Sequence, residues 1–252
     1  MFFLIMIFSF YCLFVIVTVD TSSNDIQVAD MQANTFSQSK NGEPLRISCF
    51  AHSIQLCVRD GLKNETQISR VLEKCRLLAK FSNQSSKIAD LLEDLNKHVH
   101  KMNITRWNSE YLLIKSILTI ERKDLELITK SMDNPVIFLH NDFKILEEIV
   151  GILEPFYEIS VKCQSDTIVT ASLVVPAIVH ILAHLRDTQE TGTCVTKLAE
   201  QLQSSVEKRF SGILRRLNFE QVDNNEPFND PLYFMAAVLD PFFKLLWIRD
   251  LK

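Results

Sequence analysis

From Gln67 onward, apolar residues recur at intervals of three and four, the spacing that places them on one side of an α-helix. This pattern predicts a series of amphipathic helices over most of the chain. The stripes are Ile68, Val71, Leu72, Cys75 and Leu78; Ile88, Leu91, Leu92 and Leu95; Tyr111, Ile114, Ile117 and Leu118; Phe143, Leu146, Ile149, Val150 and Leu153; and Val195, Leu198, Leu202, Val206 and Phe210. A shorter stripe of Phe50, Ile54, Cys57, Val58 and Leu62 predicts an earlier helix.

Two prolines mark expected irregularities in this helical region. We expect the helix that contains Phe143 to end near Pro155. A further helix is expected from Val169 to Leu185, with a kink at Pro176. Both expectations rest on the missing N–H of proline, which removes one hydrogen bond from the helix.

The first nineteen residues are almost unbroken apolar sequence and allow three interpretations. About 20 apolar residues can span a bilayer or form part of a signal peptide, although no Lys or Arg precedes the run. The sequons at Asn64, Asn83 and Asn103 would suit a secreted protein. Alternatively, "LFVIVTVD" is a buried β-strand that ends at Asp20, preceded by an unusual leader.

Composition narrows the fold class and the kinds of partner. The chain has 252 residues, of which 47% are hydrophobic, but only 5 Gly and 7 Pro, too few for a turn-rich all-β fold. A free-standing nucleic-acid-binding domain is usually strongly basic, whereas this chain has a net charge of -4. A local basic patch is still compatible with that charge. The six cysteines form no C-x-x-C pair, which favours reduced, buried thiols.

Five residues in three places along the sequence are candidates for chemistry. Asp20 follows the possible strand, where a carboxylate can bind Mg²⁺ or simply cap a turn. Cys49 and His52 form a C-x-x-H pair, but two ligands do not make a metal site, so the pair is interpreted as structural. Arg106 and Trp107 stand together directly before a predicted helix, either as its anchor or as a nucleic-acid contact.

Four segments resemble, in order, signature blocks of the hAT superfamily of transposases. They are "VTVDTSSN" from Val17, "CFAHSIQLCVRDGL" from Cys49, "TRWNSEYLLIKSIL" from Thr105 and "LDPFFKLLWI" from Leu239. The similarity is greatest to domesticated BED-type zinc finger proteins and covers about residues 16–252.

The resemblance implies a mainly α fold with a partial RNase H-like core of one or two strands near the N-terminus, followed by a large all-helical insertion domain. We therefore expect residues 1–15 to form an apolar leader, residues 16–62 the partial core, and residues 63–252 the helical insertion. The BED finger and the C-terminal dimerisation region of such proteins have no counterpart in this sequence.

The resemblance also assigns roles to residues. Asp20 matches one acid of the family's D-D-E metal site, within a block that departs from the family pattern by an inserted Val and by Thr in place of Asn. Cys49 and His52 match its C-x-x-H pair. Arg106 and Trp107 match its RW block, whose tryptophan is associated with DNA ends, and Lys101 lies nearby.

These matches predict a transposase-derived protein without nuclease activity, because two-metal chemistry needs several carboxylates and only Asp20 is present. No cofactor is expected, Mg²⁺ being required only by complete, active relatives. The expected partners are DNA, full-length relatives or a second copy of this chain, and the expected location is the nucleus. The alternative is a membrane-anchored or secreted helical protein that uses residues 1–19, with a membrane as partner only in that case.

Overall fold

The computed structural model describes residues 3–9, 13–19, 49–63, 65–103, 107–132, 134–164, 170–223 and 226–251. The chain divides into two compact units, residues 1–48 and residues 49–252. In the first unit, strands β1 (Phe3–Ser9) and β2 (Leu13–Val19) pair antiparallel, with Phe3 opposite Val19 and Ser9 opposite Leu13.

The described part of the second unit is helical and contains no strand. Its helices are α1 (Phe50–Lys63), α2 (Thr66–Gln84), α3 (Ser86–Asp94), α4 (Trp107–Leu118), α5 (Arg122–Lys130), α6 (His140–Cys163), α7 (Ala171–Glu190), α8 (Thr196–Arg209), α9 (Ser211–Leu217) and α10 (Leu232–Leu239), followed by a 3₁₀ helix (Leu246–Leu251). The prediction of a mainly α protein is confirmed. The predicted RNase H-like core is not seen in the described residues, whose only strands are the two of this hairpin.

A membrane-anchored protein would need a helix that can span a bilayer. Among the described residues, no helix combines the length and the apolar character needed to cross a bilayer.

The predicted apolar stripes form the core of the second unit. The whole α1 stripe is buried, as is the α2 stripe from Ile68 to Leu78. Helix α1 packs against α8 and α6, and α4 packs against α6. The contact between α1 and α8 is close, because a Cβ on Gly61 would lie 2.6 Å from Leu202 Cδ2. Helix α1 therefore lies within the helical body and not beside it.

Helix α6 corrects one prediction. It continues through Pro155 to Cys163, so the expected end near Pro155 is wrong. Proline cannot donate to the carbonyl four residues earlier, which is that of Gly151. His184 Nε2 of α7 lies 3.1 Å from that oxygen and supplies the missing donor. Pro176 likewise lies inside α7.

Candidate nucleic-acid interface

Trp107 is the first residue of α4, and the structure describes how it is held there. Its side chain is only 7% exposed. The preceding segment is fixed to the first turn of α4 by Ser109, whose Oγ accepts from the Asn103 N–H at 2.9 Å and donates to the Asn103 carbonyl at 2.8 Å. The Trp107 side chain therefore packs into the core at the start of α4.

An aromatic cluster continues from Trp107 into the core. The Trp107 ring meets Tyr111 edge to face, with centroids 6.3 Å apart, and Tyr111 stacks on Tyr157 at 4.5 Å. Burial raises the pKa of the Tyr111 hydroxyl, while its contact with Lys115 opposes that shift. The phenol therefore stays neutral and contributes packing, since such ring pairs add about 0.5–1.5 kcal/mol beyond the area they bury.

A cavity of about 480 Å³, which we call the Trp107 groove, opens beside this cluster. Helices α1, α2 and α4 and the segment before α4 all contribute to it. Its lining residues are Gln55, Arg59, Leu62, Lys63, Ser69, Arg76, Met102, Asn103, Trp107 and Glu110. The groove thus brings together residues that are up to 55 positions apart in the sequence.

The lining of the Trp107 groove is cationic. Its described residues include Arg59, Lys63 and Arg76 and a single carboxylate, Glu110, which gives these residues a net charge of +2. Arg76 is committed to Glu110, with Nη2–Oε1 at 2.6 Å and Nε–Oε1 at 2.8 Å. Arg59 and Lys63 are exposed and lie one turn apart on α1. These two cations carry the net positive charge of the groove.

A second cavity of about 200 Å³ is lined by both Trp107 and His52. Its other lining residues are Ala51, Gln55, Asn108, Ser160 and Gln164. The Ser160 Oγ is buried and has no hydrogen-bond partner among the described residues. The structure therefore places His52 beside Trp107. This proximity is not evident from the sequence, where the two residues belong to separate blocks.

The remaining predicted site residues lie in different places. Lys101 is exposed in the segment before α4. Cys49 is exposed directly before α1, where its carbonyl accepts from the Ser53 N–H at 3.0 Å. Asp20 and Arg106 lie outside the described residues, so their predicted roles stay predictions.

Metal and thiol chemistry can be assessed for the described part of the chain. Within it, no three His, Cys, Asp or Glu side chains come together as a metal site would require. Burial raises the pKa of the Cys57 and Cys75 thiols to about 12. Both thiols stay protonated at neutral pH and serve as small apolar core residues.

Sequence reasoning missed Arg59, Lys63 and Arg76. The available signal was the polar side of the α1 stripe, where Arg59 and Lys63 recur at a spacing of four. Arg76 could not have been added, because only the packing of α2 beside α4 brings it to the same groove.

Comparison with known proteins identifies related sequences for this helical region. The family described as ZBED1 RNase-like helical domain matches residues 47–151. This range contains all the described residues that line the Trp107 groove.

A longer but weaker match covers more of the chain. Zinc finger BED domain-containing protein 4 from Homo sapiens is 22% identical over 215 residues. The match covers 81% of this chain and only 17% of that relative. The chain is thus similar to BED-type zinc finger proteins, and residues 47–151 resemble the helical domain found in them.

Proposed function

We propose that this chain is a domesticated, transposase-derived protein that binds DNA through the Trp107 groove and does not cleave it. In this proposal, the helical unit from Cys49 onward, α1 included, descends from a helical domain of the hAT type. The similarity to BED-type zinc finger proteins supports this origin and a nuclear location.

The observation that carries DNA binding is the charge of the groove. Arg59 and Lys63 line this groove, and among its described residues the one carboxylate, Glu110, already pairs with Arg76. Phosphate binding needs such available cations, and each contact releases counterions from the DNA. A protein with a net charge of -4 can bind DNA only where cations are locally concentrated, as they are here.

Because Trp107 is buried, we assign it a different role from that of the exposed Arg59 and Lys63. At 7% exposure its ring offers little face for stacking on a base. It supports the proposal by fixing the wall of the groove, while Arg59 and Lys63 make the contacts. The contacts are then with the phosphate backbone, which determines affinity more than sequence preference.

The absence of nuclease activity belongs to the same proposal. By resemblance, Asp20 is the only family acid in this sequence, and one carboxylate cannot hold two ions about 4 Å apart. Strand cleavage that needs Mg²⁺ or Mn²⁺ and disappears in Asp20→Ala would contradict this part of the proposal. Cleavage that persists in Asp20→Ala would point to a contaminating nuclease.

The binding test compares two double variants of the full chain that remove equal charge. Arg59→Gln with Lys63→Gln removes the groove cations, whereas Lys80→Gln with Lys87→Gln removes exposed lysines of α2 and α3 that line neither Trp107 cavity. Fluorescence anisotropy with duplex DNA over a salt series measures both. At 0.1 M salt each lost phosphate contact should weaken binding by about eightfold and lower the salt slope by about 0.9.

The outcomes distinguish DNA binding by the groove cations from nonspecific attraction of DNA to any positive charge on the chain. A loss confined to the groove variant supports the proposal. Equal losses in both variants, or no DNA binding by the parent chain, would overturn it. Circular dichroism of each variant verifies that the helices are retained, which these exposed positions on α1, α2 and α3 should allow.

A further inference from the structure

The last described segment has an unusual surface. Helix α10 is apolar on all sides, and its main packing partner among the described elements is α7. Tyr233, Ala236 and Ala237 face the interior. On the opposite side Met235, Val238 and Leu239 are 43–53% exposed. A helix that is apolar all round is normally buried all round.

The apolar surface continues beyond α10. Phe242 is 81% exposed, and Leu245, Leu246 and Ile248 are 43–56% exposed. The segment folds back on itself, because the rings of Phe234 and Trp247 lie 6.3 Å apart. These exposed residues therefore share one end of the helical body. We call the set Met235, Val238, Leu239, Phe242, Leu245, Leu246 and Ile248 the α10 patch.

The size of the α10 patch matches that of an interface. The exposed fractions of seven large side chains amount to roughly 600 Å² of apolar area, at the upper end of the ~300–600 Å² found for the largest patch of a monomer. One partner of a standard interface buries about 800 Å². The α10 patch would supply roughly three-quarters of that area, and polar residues around it would supply the rest.

The charges beside the patch are self-complementary. Asp240 and Lys244 lie one turn apart, since the Lys244 N–H donates to the Asp240 carbonyl at 2.9 Å. No ion pair joins their side chains in the described part of the chain. Within its own chain, the Asp240 Oδ1 accepts from the Phe242 N–H at 2.9 Å. A two-fold axis that passes between the two side chains would bring Lys244 of each copy opposite Asp240 of the other, which is the self-complementary pairing of an isologous interface.

We propose that the α10 patch is the interface of a symmetric homodimer, with a second copy of this chain as its occupant. This inference is independent of DNA binding, because it uses α10 and the 3₁₀ helix and no residue of the Trp107 groove. The dimer covers the exposed apolar side chains and pairs two lysines with two aspartates at the edge.

The first experiment measures the mass of the full chain by analytical ultracentrifugation over a range of micromolar concentrations. The parent chain should form a dimer, and Phe242→Asp should raise its dissociation constant by about 30-fold or more, as expected for a central interface residue. Phe219→Asp is the matched control, because Phe219 is 98% exposed and lies outside the patch. It should leave the dimer unchanged.

The second experiment tests the two-fold arrangement by mixing. Asp240→Lys and Lys244→Asp should each weaken the homodimer, because like charges then face each other. An equimolar mixture should form a heterodimer in which both facing pairs have opposite sign, close to the parent dissociation constant. Circular dichroism of each variant controls for local unfolding.

Several results would overturn the proposal. If the parent chain is monomeric, a second copy of this chain is not the partner that covers the α10 patch. A dimer that Phe242→Asp does not weaken would lie elsewhere on the chain, and a mixture no tighter than its components would exclude the symmetric pairing.

Discussion

Trp107 and Phe242 are both aromatic residues at a helix boundary, yet their surroundings are opposite. Trp107, at the start of α4, is 7% exposed, and Phe242, three residues after the end of α10, is 81% exposed. Helix α4 is packed by α1, α2 and α6, whereas α10 has its main contact with α7 alone. The first region is complete by itself, and the second presents a surface of the kind that a partner covers.

The largest test of this comparison removes each ring. Trp107→Ala should lower the free energy of unfolding by about 3–5 kcal/mol, because it leaves a cavity beside Tyr111. Phe242→Ala should change it by about 0.5 kcal/mol or less when measured well below the dimer dissociation constant. Urea unfolding followed by circular dichroism measures both. Equal losses would show that the end of α10 belongs to the monomer core.

A smaller effect is expected from two glycines. A Cβ on Gly212 would lie 2.7 Å from the backbone of Asn229, so Gly212→Ala should cost about 1–3 kcal/mol. A Cβ on Gly151 meets nothing within 4 Å, so Gly151→Ala should stabilise α6 by about 0.5–1 kcal/mol. Thermal unfolding of both variants decides this. A neutral Gly212→Ala would mean that the loop before α10 is not fixed to α9.

Asp142 provides the next test, at the start of α6. Its Oδ2 accepts from the Leu139 N–H at 2.7 Å and from Lys74 at 2.6 Å, although the side chain is largely buried. Asp142→Ala should cost about 1–2 kcal/mol, since it removes a helix-start acceptor and leaves Lys74 without its carboxylate. Asp142→Asn keeps the acceptor and should cost less. Equal costs in chemical denaturation would assign the whole effect to charge.

The smallest effect concerns the ion pair of Asp60 and Arg209, which joins α1 to α8. The hydrogen bond from Arg209 holds the pKa of Asp60 below its ordinary value of 3.8. The stabilisation is therefore complete above about pH 4 and is lost as pH falls through the lowered pKa. Because the Asp60 side chain is 41% exposed, the contribution is about 0.5 kcal/mol or less. Asp60→Asn should flatten the acid limb of the stability profile, and an unchanged limb would contradict this assignment.

Much of the helical body could be predicted from apolar spacing alone. The stripes of α1, α2 and α8 are buried as expected, because helical periodicity depends only on local sequence. The continuation of α6 past Pro155 could not be predicted, since it depends on His184 from another helix. The Trp107 groove was half predicted. Its sequence block identifies Trp107, and helical spacing offers a signal for Arg59 and Lys63, but Arg76 reaches the groove only through the packing of α2 beside α4.

The same dependence on tertiary contacts explains the α10 patch. Apolar residues from Leu232 to Ile248 predict burial, and nothing in their spacing distinguishes burial within one chain from burial between two. The exposed fractions of the folded chain were needed to make that distinction.

The contact that carries α6 through its proline has a consequence for the imidazole of His184. A carbonyl oxygen can only accept, so Nε2 is the ring nitrogen that donates in this hydrogen bond. The hydrogen bond to α6 therefore favours one tautomer of a ring that belongs to α7. Its ¹⁵N resonances become a reporter of whether α6 and α7 remain docked, and Pro155→Ala, which restores the helical donor to the Gly151 carbonyl, should release the ring to exchange between tautomers.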